Sequence, residues 1–488
     1  MDFLDPAKKR KHGIKLIIGY ILVGIAIGLA ALILIFLAYG YSLDRKTGTV
    51  VQNGIVFMAS NPGDAEIYFN GERYKDNTDT RAVLQSGDYK VELKKNGYRP
   101  WQRDFFLAGG MIERMVYPLL FPNEIKTTDI ATYRTQPALA SQSPNRRWLL
   151  VQPTANKPAM EIYDLNQPAP VADAVTLPRA LLSGETREFK LVEWSNDNRH
   201  VLLEHLYGNK REFILVDREA PEESINITRL TKGTFNAMSL RDKKFDQWYL
   251  HNTDEQNLFT ASKAAPTPKL LIENVAAYKS HDTDIVLYVA TDKAPKGKAR
   301  VMIWDENRAD ELRQIAVSKR YLLDVARFDN QWYFAAASAA DGKIYVYREP
   351  FAAIRAVPAK TLAPATIMRL PGAEFMSFSQ NTRFITVQAG SKFALYDAEM
   401  KRTHVYDTKL PFKSGQKAVW MDGHRLSTVI NGRTVVFDYD GINQQTLLPS
   451  LAHTLPFFSD DYEQLFTLAP KGDSKEANLV RGELIVTP

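Results

Sequence analysis

Among the residues of this chain with a capacity for acid–base or metal chemistry near neutral pH are its eight histidines, set among 488 residues that include no cysteine. His200 and His205 stand five apart on an expected strand, His281 precedes Asp282 and Asp284, and His424 follows Asp422-Gly423. Imidazoles grouped with carboxylates hold divalent metals or relay protons. None of these falls in a paired ligand motif, so turn and surface positions are the expectation for them. The missing cysteine excludes disulfides, thiol catalysis, iron–sulfur ligation and thiolate zinc. The sequence also has no Gly-x-Ser-x-Gly elbow, His-Glu-x-x-His pair, Walker loop or Gly-x-Gly-x-x-Gly after a strand. Asp438-Tyr439-Asp440-Gly441 starts like a calcium loop but lacks the later ligands, and reads as a hairpin turn. Asn226-Ile227-Thr228 is a formal glycosylation sequon. No catalytic, cofactor-binding or metal-binding residue, and no cofactor, is expected from local motifs. An enzyme whose site is assembled from separate loops would leave none.

The elements around these residues are more legible. The first fifteen residues, with Lys8, Lys9, Arg10, Lys11 and Lys15 against Asp2 and Asp5, carry half of the net charge of +6, and the rest of the chain is nearly balanced, which gives no nucleic-acid footprint. Residues 1–15 are expected as a basic cytoplasmic tail. From Leu16 to Tyr41 no charge occurs, a length of about 39 Å as a helix. That crosses a hydrocarbon core of about 30 Å and exceeds the apolar core of a signal peptide, although Ala38-Tyr39-Gly40 offers a small-x-small cleavage site. The positive-inside rule then puts the N-terminus in the cytoplasm and the remainder outside. Gly24 and Gly28 form a small-xxx-small pair, a candidate face for a homodimer through the anchor.

After a linker at 42–54, residues 55–118 show short alternating segments and turn residues without helical period, as expected for a small β-sandwich. The residues Pro62-Gly63-Asp64-Ala65, Ile67-Tyr68-Phe69-Asn70-Gly71, Leu84 to Val91 with Gly87 and Tyr89, and Lys95-Asn96-Gly97-Tyr98 resemble the PEGA domain. The eponymous Pro-Glu-Gly-Ala is here Pro-Gly-Asp-Ala, and the usual Gly-x-Thr-Pro is missing. The resemblance implies a small extracytoplasmic module of a microbial envelope protein. The glycines read as turn positions with positive φ. Tyr68, Tyr98 and Trp101 read as packing residues, with contact to wall glycans as the alternative.

A second linker, 119–135, leads to a repeat that fills 136–488. Its landmark, an apolar strand ending in a polar residue, recurs at Asp164, Asp217, Ser262, Asp305, Arg348, Asp397, Asp440 and Arg481, with spacings of 41 to 53 residues. That period is near the 40–45 of a four-stranded propeller blade. Ser143-Pro144-Asn145, Ser195-Asn196-Asp197, Ser379-Gln380-Asn381 and Ser459-Asp460-Asp461 repeat as turns, similar to the WD40-like repeat of TolB-type propellers. Eight blades are preferred and seven remain the alternative, with the stretch near Thr128 to Thr135 closing the ring. Trp194, Phe378, Trp420 and Phe458 are expected between blades, and the recurrent aspartates on backbone N–H groups of turns. The expectation for the whole is a mostly β, membrane-anchored envelope protein whose propeller is a scaffold for a protein or cell-wall polymer. A tethered hydrolase of peptide or glycan is the alternative.

Overall fold

A computed structural model describes residues 6–43, 48–281, 285–356, 362–472 and 474–486. Residues 1–5 of the basic tail, 44–47 of the first linker, the Asp282–Asp284 segment and residues 487–488 lie outside that set, as does the side chain of Lys8. The chain divides into two compact units, Met1–Glu124 and Ile125–Thr487.

In the first unit, helix α1 (Pro6–Ala38) opens at a proline, whose fixed φ suits a first helical turn. It takes in residues 6–15 of the expected basic tail as well as most of the apolar stretch, and its exposed Lys9, Arg10, Lys11 and Lys15 belong to the helix. None of its apolar span is covered by protein, and its length and composition are compatible with a membrane anchor or signal sequence. The helix stops three residues short of the expected Tyr41. Gly40 takes φ +78° and donates its N–H to Leu37 O at 3.0 Å, a left-handed C-terminal stop. Tyr41–Leu43 is strand β1, paired with the start of β2 (Val50–Met58). The expected linker at 42–54 is therefore largely sheet, because Val50-Val51 extend the first strand backward.

The small module follows with β3 (Glu66–Phe69), β4 (Glu72–Asn77), β5 (Thr80–Gln85), β6 (Gly87–Lys94), β7 (Trp101–Leu107) and β8 (Ile112–Met115). One sheet has β2 between β1 and β5, with β8 parallel to β2; the other runs β4-β3-β6-β7. Val56, Met58, Ala65, Ile67, Val91, Leu93 and Trp101 form the core between them.

In the second unit the described residues form eight four-stranded antiparallel sheets, within 139–176, 188–226, 237–272, 275–316, 321–369, 375–407, 419–449 and 457–483. Each of the eight landmarks falls at or beside the third strand of one sheet. The fourth strand of the last sheet is Thr127–Tyr133, which pairs with 477–482. Residues 127–133 are therefore part of the propeller and not of a linker. One strand from the start of the unit thereby closes the last sheet, a device that removes an open edge.

Sheets pack face to face in succession. Leu150 and Ile162 of the first sheet meet Val201 and Leu203 of the second; Leu202 and Leu215 meet Trp248 and Leu250 of the third. Leu149 and Val151 of the first sheet meet Phe466 and Leu468 of the last. Being covered on both sides, strands such as Ile285–Ala290 are buried throughout, which explains their unbroken apolar runs.

The turn motif has a side-chain logic. Ser143 and Ser379 hydroxyls donate to Asn145 and Asn381 at 2.6 Å and accept from the N–H of Trp148 and Phe384 at 3.0 Å. Four residues after each of three turn serines stands an arginine that forks onto the recurrent aspartate: Arg147 on Asp164, Arg199 on Asp217, Arg383 on Asp397. Asp217 and Asp397 also accept from two N–H groups of the following turn each, as expected.

Asp397 is almost wholly buried and Arg383 mostly so. Arg383→Ala strands that carboxylate, so a loss of about 3 kcal/mol is expected, measured as a lower denaturant midpoint. Arg147→Ala, at a far more exposed pair, should cost clearly less.

Candidate functional site

The first strand of each sheet is innermost, and neighbouring first strands are joined by side-chain bonds. Gln142 Nε2 donates to Phe458 O at 2.9 Å, Trp194 Nε1 to Ser141 Oγ at 2.8 Å, and Trp420 Nε1 to Ser377 O at 3.4 Å. The Leu240 N–H donates to Glu193, and the Phe378 N–H donates to Asp324 Oδ2 at 2.9 Å. The tryptophans before the turns are thus inter-sheet residues, with their indole N–H groups satisfied by the preceding sheet.

At the turn-side ends of the first strands of the second, third and fourth sheets lies a cavity of about 480 Å³. Three polar pairs shape it. Glu193 binds Lys243 and the Leu240 N–H. The hydroxyls of Ser239 and Tyr278 are 2.8 Å apart. Lys279 Nζ lies 3.6 Å from Asp324 Oδ1 on the next first strand. Burial pushes the Tyr278 phenol up, so it keeps its proton at neutral pH. Burial and the nearby Lys279 charge lower Lys417, which sits by Asp324 and over the Phe375 ring at 6.0 Å. The cavity therefore offers amine and hydroxyl donors beside fixed carboxylates, a set suited to the carbonyls, carboxylates and hydroxyls of a peptide or glycan.

A second polar constellation lies at the loop before the second sheet. His205 is fully buried; its Nδ1 is 2.8 Å from Glu212 Oε1, and its Nε2 is 3.1 Å from Thr186 Oγ1. Glu212 also accepts from Ser183 N and Oγ and from Asn226 Nδ2. Burial works against its charge, but the bonds from His205, Ser183 and Asn226 outweigh it and hold the carboxyl at about 2. Phe189 stacks on the imidazole at 4.8 Å. Thr186 and Ser183 line an open cavity of about 950 Å³.

His424 lies in the expected turn, and His200 directly follows one, but not every histidine is a turn or surface group. His205 and His251 are buried, the latter with Nε2 2.8 Å from Val275 O. His200 binds Asp197 at 2.6 Å and stacks on Phe245. His424 is lowered to about 4 by burial. Among the described residues no group of three or more His, Asp and Glu is arranged to hold a metal. The sequon asparagine, Asn226, is buried and caps a short helix by accepting from the Arg229 N–H, so a glycan has no access to it.

In the small module, Asn70 and Gly71 both take positive φ in the tight β3–β4 hairpin, and Gly97 takes φ +82°. Gly63 and Gly87 do not adopt positive φ. Gly63 is small because a Cβ would meet the Asp79 carboxylate at 2.8 Å, and Gly87 opens β6, where a Cβ would only reach ordinary contact with the Tyr89 ring at 4.0 Å. Pro62, Asp64 and Ala65 form the turn into β3, with Ala65 buried. Tyr89 packs on Phe105 and Phe69. Tyr98 and Trp101 are buried, which leaves half-buried Tyr68, under Lys94 at 4.6 Å, as the one of the three aromatics open to a ligand. Gly24 and Gly28 have open space around them on α1.

Residues 53–108 match the PEGA domain. The chain is similar in fold to solved propellers. The C-terminal WD40 domain of Sif2 is 10% identical with a TM-score of 0.46, the match covering 74% of this chain and 99% of that one. The Dos1 propeller is 11% identical with a TM-score of 0.41, covering 73% and 93%. The dihydro-heme d1 dehydrogenase NirN is 16% identical with a TM-score of 0.41, covering 77% and 74%. These likenesses concern fold alone. No curated protein matches the chain. With its apolar N-terminal helix, this PEGA domain and eight four-stranded sheets packed in succession, the first against the last, the protein joins a helix, a PEGA domain and a β-propeller.

Proposed function

We propose that this is a single-pass envelope protein, N-terminus in the cytoplasm, whose extracytoplasmic propeller is a scaffold that binds a protein or cell-wall polymer in the inner-strand cavity. The observation that carries the reading is that cavity: paired charges and hydroxyls from three successive sheets converge on one opening, beyond a PEGA domain and a membrane-length helix. The carboxylates with displaced acidity, Asp164, Asp197, Glu212, Asp217 and Asp407, are all lowered, which makes them acceptors and not proton donors. The test is crosslinking in membranes with full-length protein, wild type against Lys279→Glu with Lys417→Glu. A protein or wall fragment recovered with the wild type and lost at least several-fold in the variant supports the reading; equal recovery overturns the cavity as its site.

A hydrolase reading is favoured by one observation, the Thr186–His205–Glu212 line, in which a hydroxyl, an imidazole and a carboxylate stand in the order of a nucleophile, a base and an orienting group.

A further inference from the structure

The sheet of β5, β2 and β8 has two dissimilar faces. Val56, Met58, Ala82 and Met115 point into the core. On the other face Ile55 stands between Val83 and Ile112, and Phe57 between Arg81 and Arg114, with the Arg114 guanidinium 5.2 Å from the Phe57 ring. Val83 and Ile112 are 50% and 53% exposed, and Val116, just past β8, is 55% exposed. A contiguous apolar row flanked by arginines on a β-sandwich marks a contact surface.

The helix end lies close to this face. The Asn53 N–H donates to Gly40 O at 2.7 Å, Gln52 Nε2 to Tyr39 O, and Ser42 Oγ to Asn53 Oδ1. β1 and β2 therefore clasp the residues that leave α1. Ile55 follows Asn53 by about 7 Å along the strand and Phe57 by about 13 Å. The headgroup layer is about 5–8 Å deep on each side of a bilayer. The apolar row thus begins within headgroup reach of the helix end, and arginines beside it suit lipid phosphates while their stems lie on apolar surface.

We propose that this face of the PEGA domain lies on the bilayer that α1 enters, with Val83, Ile55 and Ile112 at the acyl boundary and Arg81 and Arg114 on anionic headgroups. The inference rests on the membrane reading of α1. The cysteine-free chain permits single labels. Full-length protein is reconstituted in nanodiscs of phosphatidylcholine, with or without phosphatidylglycerol, carrying a nitroxide at Val83→Cys, Ile112→Cys, Lys75→Cys or Ile25→Cys. Expected is a several-fold higher ratio of oxygen to aqueous-reagent access at 83 and 112 than at 75. That excess should be greatest with phosphatidylglycerol and reduced by Arg81→Glu with Arg114→Glu. Aqueous labels at 83 and 112 beside a lipid-immersed label at 25 would overturn the docking alone. An aqueous label at 25 would overturn the anchor reading and the docking with it. Protection at 83 and 112 that ignores lipid composition and disappears on dilution would assign the face to a second copy instead.

Discussion

Replacing Glu212 with alanine should destabilise the propeller by about 3–5 kcal/mol, because it leaves His205, Ser183 and Asn226 without their shared acceptor in a buried site. The pH dependence follows from the lowered carboxyl. An ordinary glutamate titrates near 4.3, whereas this one is held at about 2. Its folded-state pKa lies below the unfolded one, so its contribution is whole above the unfolded value and is lost as pH falls from there toward 2. The displacement corresponds to about 3 kcal/mol. Denaturant midpoints from pH 7 down to 2 should fall more steeply for the wild type than for Glu212→Gln. Parallel curves would remove the carboxylate from the acid limb. Thr186→Ala separates the network's two readings: a structural network predicts a small loss of stability and no change in reactivity. A hydrolytic one predicts that acylating probes which label Thr186 in the wild type no longer label the variant.

Two charges in the middle of α1 should have the larger effect on location. Ile25→Arg with Leu29→Arg places guanidinium groups one turn apart on a segment with no protein cover, costing on the order of 6–8 kcal/mol of insertion free energy. The expected result is a shift of the protein from the carbonate-resistant membrane pellet to the soluble fraction, while Ile25→Leu with Leu29→Ile stays in the pellet. A double arginine variant that remains carbonate-resistant would show that another element holds the chain to the membrane.

The amino-acid order alone determined the apolar helix, the PEGA segment and the repeat of the propeller. Each of these is a local property: an uncharged run, turn residues at set intervals, and alternating strands with a period near 45 residues. Even the arginine forks were present in it, as Ser143, Ser195 and Ser379 each precede an arginine by four residues, although only the strand pairing shows that the aspartate they meet is 14 to 18 residues further on. Element ends were less legible. Whether Tyr41 continues a helix or starts a strand depends on its pairing with Gln52, and the membership of 127–133 depends on a partner some 350 residues away.

What only the tertiary structure decided is which polar residues meet. Glu193, Ser239, Tyr278 with its neighbour Lys279, Asp324 and Lys417 come from five different first strands or their approaches, and no regular spacing along the chain relates the five. His205 reads as a turn or surface histidine in the sequence, which gives no sign of Glu212 as its partner, until two adjacent strands and a loop enclose the pair. Cavities and buried networks arise where sheets converge, and convergence depends on how the ring closes. Local patterns encode the blades, while the site lies between them.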